Sequence, residues 1–202
     1  KDKMSDAILS LKNINYYFDK DDTNGFSLAV PHLQVYKGEI FAIIGPNAAG
    51  KTTLLKIIGF LEKPKMGEVV FNHSVSGINM LKLRRKMSFV FQEPLLFKGS
   101  VFDNLSLPLR IRHFRADKIK KRVKEVLNLF KIEYLIRRKA VTLSVGEARR
   151  LILARSLISE PELLILDEPF SSLDPVYKEG LLSDLNTIIR KNNISTIFVS
   201  LF

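Results

Sequence analysis

The sequence predicts an α/β protein: a core of alternating strands and helices interrupted by a helical insertion. Three observations predict it. A short apolar run at residues 39–44 leads through a glycine-containing loop into a helical pattern at 51–61. Further short apolar runs at 68–71, 87–91, 163–166 and 194–200 have the length and composition of strands and alternate with helix-like segments. Between Ala116 and Phe130, apolar residues fall at Ile119, Val123, Val126, Leu127 and Phe130, which is one face of a helix.

Taken in order, Ile8, Leu9, Leu11 and Ile14 mark a first β segment, and residues 19–25 (DKDDTNG) are a turn or loop. Residues 26–30 and 33–36 read as two strands with Pro31 as a breaker between them. Residues 39–44 have the continuous apolar character of a buried parallel strand. The chain changes character over 101–139, and residues 144–159 are helical again. The expected organisation is a single domain over 1–202. Its core comes from about 7–94 and 156–202, and its helical subdomain from about 95–155.

Lys and Arg outnumber Asp and Glu by 32 to 21, a formal charge of +11. Such a balance is compatible with nucleic acid, an anionic membrane surface or phosphorylated ligands. The basic residues are dispersed, however, and the densest run, Lys118 to Arg122, lies within the helical pattern, where a solvated face accounts for it. There is no cysteine, which excludes disulfides and thiolate metal sites and fits a reducing compartment. No stretch reaches the ~18–20 apolar residues that span a bilayer. The first residues carry acids and are not a secretory signal, and Met4 is a candidate start.

Gly45-Pro46-Asn47-Ala48-Ala49-Gly50-Lys51-Thr52 matches G-x-x-x-x-G-K-[ST] between an expected strand and an expected helix, the context in which that pattern binds phosphate. Free N–H groups and the helix dipole attract the anion there. Lys51 bridges β- and γ-phosphates in this arrangement, and the Thr52 hydroxyl ligates Mg²⁺. Asp167 follows the apolar run 163–166, so it belongs at a strand's C-terminal end, where open α/β sheets bind ligands; it fits a Mg²⁺-holding role. Ser144 with Glu147 three residues on reads as a capping box.

In order along the chain, the loop at 45–52, Gln92 after a strand, Leu143-Ser144-Val145-Gly146-Glu147, Leu164-Ile165-Leu166-Asp167-Glu168 and Ser171-Ser172-Leu173-Asp174 resemble the Walker A, Q-loop, signature, Walker B and D-loop motifs of the ATP-binding cassette (ABC) family. The resemblance covers about residues 7–200. It implies a P-loop NTPase fold of the ABC ATPase type: a mixed-sheet core with an N-terminal antiparallel β-subdomain and a helical subdomain. It implies ATP and Mg²⁺ as cofactors, with Gly45, Pro46, Asn47, Ala48, Ala49, Gly50, Lys51, Thr52 and Thr53 cradling the nucleotide and Phe18 stacking on adenine. Glu168 is then the general base, Gln92 and Lys51 assist it, and Thr52, Gln92 and Asp167 surround the metal. Ser144, Gly146 and Asp174 serve the nucleotide of a second copy, so that two copies sandwich two ATP molecules. Arg150 matches the usual arginine of the signature region.

A lone cassette implies a separate membrane-spanning permease, an upstream substrate-binding protein, and a peripheral position on the cytoplasmic face of the cell membrane. Residues 91–101 look like importers of oxyanions such as tungstate or phosphate. Nucleic-acid-associated relatives carry long coiled coils or paired cassettes, neither of which is present, so no nucleic acid is expected. Three departures stand out. Ala48 replaces a glycine and costs roughly 1–2 kcal/mol if its φ is positive. Val145 replaces the first signature glycine. Leu201 stands where the family has its switch histidine, just before the sequence stops, which suggests a truncated end and a cassette impaired in hydrolysis.

Overall fold

The structure, a computed structural model, describes residues 7–17, 26–75, 79–171 and 173–200. It contains two four-stranded sheets. The antiparallel sheet takes β1 (Ala7–Tyr17), β2 (Ser27–Tyr36), β4 (Met66–Phe71) and β5 (Ser74–Val75) in the order β2-β1-β4-β5. The parallel sheet takes β3 (Ile40–Ile44), β6 (Met87–Val90), β7 (Leu163–Asp167) and β8 (Ser195–Ser200) in the order β3-β8-β7-β6. The helices are α1 (Lys51–Ile58), α2 (Met80–Arg84), α3 (Val101–Ile111), α4 (Ala116–Phe130), α5 (Val145–Leu157) and α6 (Pro175–Lys191).

The parallel sheet separates two hydrophobic cores. On β7, Leu163 and Ile165 face one core with α1 and the antiparallel sheet, whereas Leu164 and Leu166 face the other with α3, α4, α5 and α6. This is the period-2 alternation of a strand buried on both faces. The buried face of α4 consists of Ile119, Val123, Val126, Leu127 and Phe130, as its spacing predicts.

Three expectations are corrected. Pro31 does not divide the chain into two strands, because β2 runs through it. β2 is an edge strand, where a missing N–H costs no ladder bond. β3 is parallel, as expected, but it lies at the sheet edge and is only partly buried, with Ile44 exposed.

β1 also carries a bulge. Its buried residues change parity from Leu9 and Leu11 to Ile14 and Tyr16 around Asn13, which has φ +51°. The main chain of Asn13 sits against Gly67, where an added Cβ would stand 2.3 Å from the Asn13 carbonyl oxygen, so glycine is required there. α1 stops at Ile58 rather than near residue 61, capped by Gly59. α6 has no counterpart among the segments expected from sequence. The expected turn at 19–25 lies outside the described residues.

Candidate nucleotide-binding site

Strand register assembles the site. Ile44 pairs with Ser200, and Asp167 with Val199, so the C-terminal ends of β3, β8 and β7 lie side by side, with Val90 of β6 paired to Leu166. Loops leaving these ends converge. After β3, Ala48 at φ +62° and Gly50 at φ +86° turn the chain into α1. Ala48 thus adopts the left-handed conformation whose cost the sequence reading anticipated. Lys51, the first residue of α1, is buried, and its Nζ donates to the carbonyls of Gly45 (2.8 Å) and Pro46 (2.7 Å). The loop residues Gly45, Pro46, Asn47, Ala48 and Ala49 therefore lie around the helix N-terminus, with Thr52 and Thr53 in its first turn.

Asp167, only 3 % exposed, ends β7. The Thr52 hydroxyl hydrogen-bonds to it. Its Oδ1 is buried and accepts no hydrogen bond. Burial pushes its carboxyl above the usual carboxylate range, opposed by the Thr52 hydrogen bond and by the charges of Lys51 and Lys56. A buried carboxylate oxygen without a donor, beside a hydroxyl, is the donor chemistry that suits Mg²⁺. Glu168 follows with φ +44°. Its Oε2 accepts a hydrogen bond from Gln92 Nε2 at 3.2 Å, so the candidate base and the Q-loop glutamine meet.

Ser144, Gly146 and Asp174 form a second cluster. Ser144 caps α5 through a capping box with Glu147: Ser144 N donates to Glu147 Oε2 (2.8 Å) and Glu147 N to Ser144 Oγ (3.3 Å). Those hydrogen bonds hold the Glu147 carboxyl below its usual range. Val145 is 57 % exposed. Asp174 caps α6, accepting from Tyr177 N at 3.0 Å. Tyr177 lies against Gly146, and its hydroxyl accepts from Arg150 Nε at 2.7 Å. Arg150 also donates to the Phe130 carbonyl and to Asp184, so in this chain it joins α5, α4 and α6. Phe18, Leu201 and Ser172 lie outside the described residues.

Two residues that the sequence reading did not single out matter here. Tyr177 joins the two helix N-termini. Arg149 is fully buried and donates to the carbonyls of Phe91 and Gln92. α5 is buried nearly all round, so periodicity offers no signal that distinguishes Arg149 from Arg150.

A phosphate-binding loop, an acidic strand end and a paired glutamine on a parallel sheet define a P-loop nucleotide-binding domain. The sequence model of the family described as "ABC transporter" matches residues 28–171, and this chain belongs to that family, as an ATPase cassette. It is 39 % identical over 180 residues to the spermidine/putrescine import ATP-binding protein PotA of Treponema pallidum (strain Nichols), covering 87 % of this chain and 47 % of that one. It is 36 % identical over 198 residues to the sulfate/thiosulfate import ATP-binding protein CysA of Pectobacterium atrosepticum, covering 95 % and 58 %. The chain thus spans about half the length of the curated relatives it matches. A solved dimeric structure of the cassette MJ0796, in a post-hydrolysis state bound to ADP and Pi, superposes with a TM-score of 0.85 at 28 % identity, covering 95 % of this chain and 87 % of that one. Among the described residues no helix is long and apolar enough to cross a membrane.

Proposed function

We propose that this chain binds and hydrolyses ATP, pairs with a second copy around two nucleotides, and powers a separate membrane-spanning importer from the cytoplasmic face. The observation that carries the reading is the convergence of Lys51 and Thr52 with a buried, donorless Asp167 oxygen and the Gln92–Glu168 pair. The loop N–H groups and Lys51 hold the phosphates. Thr52, Asp167 and Gln92 would hold Mg²⁺, which supplies charge neutralisation to the phosphates when bound. Glu168, oriented by Gln92, accepts the proton of the attacking water. Phe18 stacks on the adenine. Ser144, Gly146 and Asp174, at two helix N-termini, face the second copy's nucleotide. In the division into a core and a helical subdomain at about 95–155, Ser144 and Gly146 fall in the subdomain, and Asp174 falls in the core with the chain's own site.

The partners follow from the same reading: a second cassette, a permease and an upstream substrate-binding protein, with no nucleic acid. PotA carries a polyamine cation in its name and CysA an oxyanion, so similarity at this level follows the engine and not the cargo, and an oxyanion is not singled out. We assign the permease to a groove of about 410 Å³ between α2, α3 and the segment after β6, where Leu81, Phe97 and Ile111 are exposed and Arg85 and Arg112 add charge. Leu201 and Val145 favour a slower version of the same cycle.

A turnover assay tests the proposal. Mg²⁺-dependent ATPase activity is expected to fall on the order of 10²-fold or more in Glu168→Gln, while that variant gains an ATP-dependent dimer measurable by light scattering. Turnover unchanged by Glu168→Gln would overturn the assignment of the base. Higher turnover in Leu201→His identifies Leu201 as the cause of slow hydrolysis.

A further inference from the structure

We propose that Arg149 is a positioning residue that fixes the Gln92–Glu168 pair from α5, a role that rests on the ATPase reading above. Arg149 is 1 % exposed and heads the fully buried side chains by size. A guanidinium stays charged at any ordinary pH. Burying one is costly unless its donors are bonded, so it is a poor choice for mere filling of a core. Here Nη2 donates to the carbonyl of Gln92 at 2.8 Å and Nη1 to that of Phe91 at 3.4 Å. The same Gln92 sends its side-chain amide to Glu168 Oε2 at 3.2 Å. The main chain of one residue is therefore pinned by α5, and its side chain is delivered to the candidate base.

The rest of the segment is held the same way. Arg155, also on α5, donates to the Leu95 carbonyl and to Asn104 Oδ1 (3.2 Å), and its guanidinium lies 4.6 Å from the Phe97 ring centroid. Buried Asn104 of α3 accepts from Phe97 N (2.9 Å) and donates to Phe97 O (3.0 Å). Residues 91–97 are thus bonded to α5 and α3, away from the sheet they leave. The N-terminus of α5 carries Ser144 and Gly146, which face the second copy in the proposed dimer. Arg149 shares α5 with that surface and hydrogen-bonds the segment that carries the chain's own glutamine.

Arg149→Met removes the donors while keeping a long side chain, and Arg149→Lys keeps a charge and a donor. Both are compared with the full wild-type chain by amide hydrogen exchange without nucleotide, steady-state ATPase activity and equilibrium MgATP binding. For Met, exchange across 91–97 is expected to quicken on the order of tenfold or more. kcat is expected to fall on the order of ten- to hundredfold, the scale of an ångström-level misplacement. The Kd for MgATP stays within about threefold, since the phosphate loop is untouched. Lys recovers part of both losses. Unchanged exchange across 91–97 overturns the proposal, as does a loss in which kcat and Kd worsen together in step with Tm. If the Met variant does not fold, Lys decides alone: lowered kcat at constant Kd supports the role, and wild-type kcat overturns it. A wild-type chain with no turnover would refute the ATPase reading, and the exchange comparison would still judge the hold of Arg149 on the segment.

Discussion

At Asp167, burial and charge oppose each other. Burial raises its pKa in the folded chain, so the folded state holds that proton more tightly than the unfolded one. As pH climbs past the unfolded value of about 3.9, the unfolded chain releases the proton first, and stability falls until the pH has passed the folded value. Asp167→Asn has no charge to bury. Without nucleotide it is expected to melt above wild type at pH 7.5, by a margin that shrinks as the pH is lowered towards 4. Calorimetry over that range checks this, and a variant that melts below wild type at pH 7.5 contradicts it. With MgATP the order reverses, because a ligand that binds only the folded state raises the wild type by linkage.

At the scale of elements, α5 and α6 meet through Tyr177 and Gly146. A Cβ on Gly146 would stand 2.7 Å from Tyr177 Cζ and 2.8 Å from Cε1, so the ring must move and its hydrogen bond with Arg150 must stretch. Gly146→Ala is expected to cost about 1–3 kcal/mol in urea unfolding. Val145→Ala, one residue away on an exposed position, should stay within about 0.5 kcal/mol. Equal costs would remove Tyr177 as the cause. The glycine was legible in the sequence only as part of a motif, and its packing reason was not, because Tyr177 is distant in sequence. The same division recurs elsewhere. The face of α4 was readable because one side is apolar and the other charged. The phosphate loop and the Asp167–Glu168 strand end were readable because their residue types are fixed by chemistry. α6 was not singled out, although Asp174-Pro175 is a helix-start signal and its buried residues Leu181, Leu185, Ile188 and Ile189 are spaced along one helix face. The continuity of β2 through Pro31 depends on its being an edge strand, which only the assembled sheet decides.

For the whole molecule, the membrane partner proposed above would reach the site through the segment after β6. The segment that carries Gln92 also carries Phe97, and Phe97 lines the groove between α2 and α3, so a body seated there touches the loop that orients Glu168. The exposed Leu81, Phe97 and Ile111 supply apolar contact, and Arg85 and Arg112 add positive charge; burial, and then the neighbouring charge of Arg85, holds the Arg112 guanidinium below its usual range. A carboxylate would relieve that pair of like charges, so the occupant we propose for the groove is an amphipathic permease helix bearing Asp or Glu. Reversing both charges, Arg85→Glu with Arg112→Glu, leaves the phosphate loop, Asp167 and Glu168 untouched. Basal ATPase activity is expected within about twofold of wild type, whereas stimulation by the reconstituted permease is lost. In the wild type, that stimulation should weaken as salt is raised, because exposed charges are screened over about 10 Å at 0.1 M. Stimulation that survives the double reversal, with normal salt dependence, would move the permease contact away from this groove and leave the 91–97 segment held by α5 and α3 alone.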